Sequence, residues 1–180
     1  MLAKYFFDTD LAGNAEPQNE RKSQNGFASV IGGTLMDWCS KVNSTSYASE
    51  RIGEAHAEFS SAGVEIYGVG NATQRAMGIQ YRLEEAGMEP EWPFELYIDN
   101  TAAIAFCKNT VHNTRLKHID TRQCWCRQIR DKNVVTPIYV NTKENIADLF
   151  TKILPKATFE YLRDQVFVFY QGSNGIKETK

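Results

Sequence analysis

An α/β fold, a five-stranded mixed sheet with helices on both faces, is predicted by three features of the chain. Short β-favouring runs open it in succession, two of them joined by Gly32-Gly33. A long stretch of helical period follows, over about residues 53–86. A further apolar run, Glu95-Leu96-Tyr97-Ile98, then ends at Asp99 and gives way to a small-residue, helix-prone segment. A carboxylate at the C-terminal tip of a strand, with a helix leaving beside it, sits where ligands bind in open α/β sheets. Asp is also among the best helix N-caps, so Asp99 signifies a site only if the chain supplies it with partners.

The first run, Ala3-Lys4-Tyr5-Phe6-Phe7, is aromatic-rich and reads as a buried strand ending at Asp8. Small residues follow it, as they follow Asp99. Residues 14–25 are polar and contain Pro17, which marks a loop. Gly26 to Ile31 and Thr34 to Cys39, flanking Gly32-Gly33, read as a β-hairpin, so three strands form an antiparallel meander. Residues 41–51 are rich in Ser, Thr and Asn and read as a second loop. Along 53–86 an apolar stripe runs through Phe59, Ala62, Ile66, Val69, Ala76, Ile79 and Leu83. Glycines inside it, each costing about 0.8–1 kcal/mol against Ala, predict an interruption near Gly68-Val69-Gly70. Gly87 is the expected C-terminal stop. A right-handed crossover from the hairpin would set the Asp99 strand parallel to the Asp8 strand. Thr101 to Cys107 is a short helix, and 115–131 a polar, basic helical stretch. Val134 to Val140 is the last strand, placed at an edge by Pro137. Asn141-Thr142-Lys143-Glu144 reads as a capping box for a helix carrying Asp148 and closed by Pro155. A final helix is expected over 159–170, giving one domain over 1–170 and a flexible tail over 171–180.

With 180 residues, 42% hydrophobic and 23% charged, the composition is that of an ordinary globular domain. No apolar run is long enough to cross a bilayer. Four cysteines, including the close pair Cys124 and Cys126, make neither a disulfide framework nor a zinc site, and suggest reduced thiols in a cytosolic setting. The net charge of −2 argues against binding nucleic acid by bulk positive charge. It leaves room for a local basic patch beside an acidic metal site.

Four carboxylates stand out: Asp8 and Asp99 at strand tips, Glu58 on the long helix, and Asp148 on a later one. Each alone has an ordinary reading as a cap or a solvated charge. Together they form an oxygen-rich set suited to Mg2+ or Mn2+. The motifs around them resemble the ribonuclease H domain of copia-type (pseudoviral) LTR retrotransposon polyproteins, over about Tyr5 to Leu162. Phe7-Asp8-Thr9-Asp10-Leu11-Ala12-Gly13 is similar to that family's Ser-Asp-Ala-Asp-Trp-Ala-Gly. Arg21-Lys22-Ser23-Gln24-Asn25-Gly26-Phe27, Trp38-Cys39-Ser40-Lys41 and Ala57-Glu58-Phe59 follow in the family's order. Asp99-Asn100-Thr101-Ala102-Ala103-Ile104-Ala105, Lys117-His118-Ile119-Asp120 and Ala147-Asp148-Leu149-Phe150-Thr151-Lys152 complete the set.

The resemblance implies a ribonuclease H-like fold with strand order 3-2-1-4-5. It implies endonucleolytic hydrolysis of the RNA strand of an RNA–DNA hybrid during reverse transcription. Asp8, Glu58, Asp99 and Asp148 would hold two Mg2+ (or Mn2+) ions, with Asp8 and Asp99 as the shared ligands. His56 stands where the family commonly has a further Glu; Glu58 is preferred because Ala-Glu-aromatic matches the wider ribonuclease H pattern. Leu11 replaces a Trp, and Asn113 a His. Asn100, Thr101, Arg115, Lys117, His118 and Arg122 are the expected substrate contacts, the last four in a basic cluster continuing to Arg127, Arg130 and Lys132. A helix cap for Asn100 and Thr101, a solvated face for the cluster and a structural hydrogen bond for His118 are the alternatives. Reverse transcriptase of the same polyprotein is the expected protein partner, in a cytoplasmic particle or the nucleus, with no membrane. A catalytically lapsed module binding hybrid or a reverse transcriptase is the competing reading, and a DNA-acting nuclease or integrase of the same fold a third.

Overall fold

In the computed structural model, residues 2–10, 23–42, 61–108 and 127–166 are described. Strands β1 (Ala3–Asp10), β2 (Gln24–Ile31) and β3 (Thr34–Val42) form the expected meander. Gly32 and Gly33 turn the hairpin at φ of 61° and 83°, the left-handed pair that a tight two-residue turn demands. Helix α1 (Ser61–Glu85) then crosses to β4 (Phe94–Ile98), and α2 (Thr101–Lys108) leaves its tip. The last strand is β5 (Val135–Tyr139), and α3 (Lys156–Val166) is the last described helix.

The sheet order is β3-β2-β1-β4-β5. β1 pairs antiparallel with β2 and parallel with β4, and β4 pairs parallel with β5. Pro137 lies on β5 at the sheet edge, where its missing N–H breaks no interior ladder. The strict alternation of β1 divides the core in two. Tyr5 and Phe7 belong to the layer under α1 and α2, whereas Phe6 joins Ala28, Val30, Ile146, Ala147 and Val166 on the opposite face. Helical elements therefore cover both faces.

Two expectations give way. Helix α1 runs unbroken through Gly68 and Gly70. The reason is spatial: a Cβ on Gly68 would lie 2.1 Å from Phe7 Cζ, so the glycine makes room for the aromatic ring beneath it. The helix ends where expected, with Gly87 at φ 76°, its N–H on Glu84 O and that of Met88 on Leu83 O. Residues 53–60, where the helix was expected to begin, lie outside the described residues.

The segment carrying Asp148 is not an α-helix. Two 3-10 turns, Thr142–Glu144 and Ile146–Phe150, follow one another. Asn141 and Asn145 each accept the backbone N–H two residues on, from Lys143 and Ala147, at 3.0 and 3.2 Å. Such local side-chain bonds compete with helical ones, and two of them four residues apart leave no room for an α-helical turn. The final helix begins at Lys156, directly after Pro155, three residues before the expected start.

Candidate metal centre

Phe7 of β1 is paired with Ile98 of the parallel β4, so Asp8 and Asp99 come next in register, side by side. Asp99 is not the cap of α2. Asn100 takes that role, its Oδ1 accepting from Ala102 N at 2.9 Å and Ala103 N at 3.0 Å. The Asp99 carboxylate is thereby released toward the site, where Thr142 Oγ1 donates to its Oδ2 at 2.9 Å.

The helical carboxylate that meets this pair is Glu65, on the first turns of α1. Asp8, Glu65 and Asp99 each offer an oxygen within 4.8 Å of the others. Glu65 is 4% exposed, and its Oε1 has no hydrogen-bond partner among the described residues. Leaving a buried carboxylate oxygen unpartnered is costly. Burial, followed by the charges of Asp8 and Asp99, pushes the Glu65 carboxyl up to about 9. Burial and then the Asp8 charge likewise raise Asp99 above the usual carboxylate range.

Asp148 arrives from the opposite face on the second 3-10 turn. Asn145, fully buried, fixes that turn to β1 by donating from Nδ2 to Phe7 O at 3.0 Å. Gly26, opposite Asp8 on β2, allows the close approach: a Cβ there would lie 2.7 Å from Ala147 O. Lys152 Nζ then reaches both Asp148 Oδ1, at 3.1 Å, and the Asp8 carboxylate, at 3.2 Å. Thr151 Oγ1 also donates to Asp8, at Oδ2. Burial and the Asp8 charge raise the Asp148 carboxyl. Burial works against the Lys152 ammonium, but Asp8 and Asp148 outweigh it and the net shift is upward.

The donor set fits a hard divalent cation. It is all oxygen, rigidly mounted on two strands and a helix, and includes a buried oxygen otherwise without a partner. Of the residues singled out from sequence, Asp8 and Asp99 come together, with Asp148 joined to Asp8 through Lys152. Glu58, His56, Arg115, Lys117, His118 and Arg122 lie outside the described residues. Asn100 is a cap, and Thr101 is exposed at the start of α2. Arg127 and Arg130, at the end of the basic cluster, hold the C-terminal end of α2. Arg127 Nε donates to Phe106 O at 2.9 Å with its guanidinium 3.8 Å from the Phe106 ring centre, and Arg130 donates to Cys107 O. Cations at orphan helix carbonyls are favourable partners.

Sequence reasoning missed Glu65, although a signal was present. Glu65, Val69, Ala72, Ala76, Ile79 and Leu83 recur at alternating spacings of four and three, so the carboxylate stands on the apolar stripe itself. An acid at such a position is buried by construction.

No protein-family model matches the chain. Among curated proteins it is 27% identical over 165 residues to the Retrovirus-related Pol polyprotein from transposon TNT 1-94 of Nicotiana tabacum, covering 92% of this chain and 11% of that protein. It is 27% identical over 155 residues to the Pol polyprotein from transposon RE2 of Arabidopsis thaliana, covering 86% and 10%. The chain thus spans about a tenth of the length of the curated relatives it matches. Among solved structures it resembles LC11-RNase H1 in complex with an RNA/DNA hybrid, with TM-score 0.53 and 12% identity, covering 83% of this chain and 93% of that one. A second structure of LC11-RNase H1, isolated from compost, gives TM-score 0.51 and 14% identity, covering 83% and 92%. The fold is that of ribonuclease H.

Proposed function

We propose that this chain is a divalent-metal-dependent endoribonuclease that hydrolyses the RNA strand of RNA–DNA hybrids, as the ribonuclease H part of a retrotransposon Pol polyprotein. The observation that carries this reading is the convergence of Asp8, Glu65 and Asp99, with an unpartnered buried oxygen among them. It is supported by the ribonuclease H sheet on which they stand and by the Pol polyprotein relatives.

Asp8, Glu65 and Asp99 would hold one ion, and Asp8 with Asp148 a second. Bound there, Mg2+ or Mn2+ supplies an activated water and charge stabilisation at the leaving oxygen. The chain's own part is positioning. Thr142 orients the Asp99 carboxylate, Thr151 orients Asp8, and Asn145 keeps the Asp148 turn against β1. Asn100, Thr101, Arg115, Lys117, His118 and Arg122 are proposed as hybrid contacts, selecting by 2′-hydroxyls and A-like shape rather than by base. Glu58 remains a rival for the helical ligand, to be separated from Glu65 by paired substitutions. Reverse transcriptase encoded in the same polyprotein is the proposed partner.

The test is cleavage of an end-labelled hybrid by the purified chain with Mg2+, with D99N as the control. Mg2+-dependent cuts in the RNA strand, absent in D99N, are expected. One observation favours a second reading, a lapsed module that binds without cutting: Lys152 already neutralises the Asp8–Asp148 edge. Hybrid binding without cleavage would select it, and cleavage of duplex DNA would overturn both.

A further inference from the structure

The acidic cluster is unevenly neutralised. At one edge Glu65 Oε1 has no partner among the described residues. At the other the Lys152 ammonium lies 3.2 Å from Asp8 and 3.1 Å from Asp148, two carboxylates each 3% exposed as residues. Its backbone N–H is bonded to Asp148 O at 3.2 Å, which fixes the start of the side chain one turn from the carboxylate it serves. Its side chain retains 30% of its exposure, so the ammonium has a path to solvent. A four-carbon stem with a compact, strongly hydrated head suits both positions.

We propose that Lys152 is a tethered counter-cation standing in for a second divalent ion between Asp8 and Asp148, so that ions load in a fixed order. The first enters at Asp8, Glu65 and Asp99; the second enters only as Lys152 swings out. This rests on the metal-dependent reading above. The physical reasons are two. Without a cation, two buried carboxylates at this edge repel each other and bear an uncompensated burial cost. With Lys152 in place, an ammonium and a divalent ion cannot share the same oxygens, since like charges a few ångströms apart repel by several kcal/mol at intermediate dielectric. A merely structural ion pair would stay closed and leave ion binding unaffected.

The experiment is Mn2+ binding to the full chain, counted by the electron spin resonance signal of free Mn2+, for wild type, K152M and K152R. Wild type should show one stronger and one weaker site. In K152M the weaker site should tighten by about tenfold or more with less change at the stronger, while K152R keeps the wild-type order. A second measurement needs no variant. The hydrogen-bonded ammonium signal of Lys152 in 1H–15N spectra should survive the first equivalent of Mg2+ and vanish with the second. Unchanged binding in K152M, or a Lys152 signal indifferent to both equivalents, overturns the proposal while leaving hybrid cleavage, and with it the functional reading, intact. A wild-type chain that neither binds Mn2+ nor cuts hybrid overturns both.

Discussion

At the scale of single residues, the site is made by placing acids where the surrounding pattern calls for something else. Glu65 occupies an apolar-stripe position, and Asp8 a buried position at the end of an aromatic run. E65Q should therefore reduce Mg2+-dependent cleavage of the hybrid to background, whereas E58Q should retain most of it. The reverse result, read on the same gel, would return the helical ligand to Glu58. Asn145 is polar for another reason: it serves β1 and the Asp148 turn at once. N145A removes both bonds and with them the tie between β1 and the Asp148 turn. About 1–3 kcal/mol of stability should be lost, read as a lower urea midpoint, together with weaker Mn2+ binding because the Asp148 turn is no longer fixed. Asp8 and Asp99 were legible in the sequence because strand-tip acids interrupt a visible apolar run. Glu65 was legible only through its place on a stripe whose members lie three and four residues apart, and the pairing of Lys152 with Asp8 spans 144 positions of sequence.

At the scale of elements, glycine is used here for space as much as for turning. G68A would gain about 0.8–1 kcal/mol of helix propensity, yet its methyl would meet the Phe7 ring at 2.1 Å. Overpacking typically costs about 1–3 kcal/mol, so net destabilisation is expected by urea denaturation. A G68A/F7L double variant should recover part of it; additive losses would show that the contact is not the cause. The five strands, the Gly-Gly turn, the edge position of β5 and the stop at Gly87 all followed from local chemistry, since each is dictated by residues within a few positions. The unbroken course of α1 did not, because the ring that fills the space above Gly68 comes from another strand. Two 3-10 turns stood in place of a helix because a second capping residue, Asn145, competes with the first.

For the whole molecule, the cluster should tie stability to pH and, on the proposed reading, to metal. The Glu65 carboxyl, ordinarily near 4.5, is pushed up to about 9 in the metal-free fold. Between those values the folded chain keeps a proton that the unfolded chain has released, so stability falls as pH rises through that window. Asp99 and Asp148, both raised, act in the same sense. The metal-free protein should melt several degrees lower at pH 8.5 than at pH 5.5. Mg2+ should restore more at the higher pH, and E65Q should flatten the dependence. A flat profile in the wild-type chain would show that Glu65 is not held in its proton-bound form.

The pairing of Asp8 with Thr151 and Lys152 bridges 143 and 144 positions of sequence. Among the described residues, the charge laid down in the first strand is thus answered by residues that follow every strand of the sheet in sequence. A chain broken off before residue 148 could still build the five strands, but it would bury Asp8 beside Glu65 and Asp99 with no ammonium to offset it. Truncation would then be penalised twice, by the missing fourth carboxylate and by a strained interior. Copies shortened in this way should therefore unfold at lower urea concentration than the full 180-residue chain.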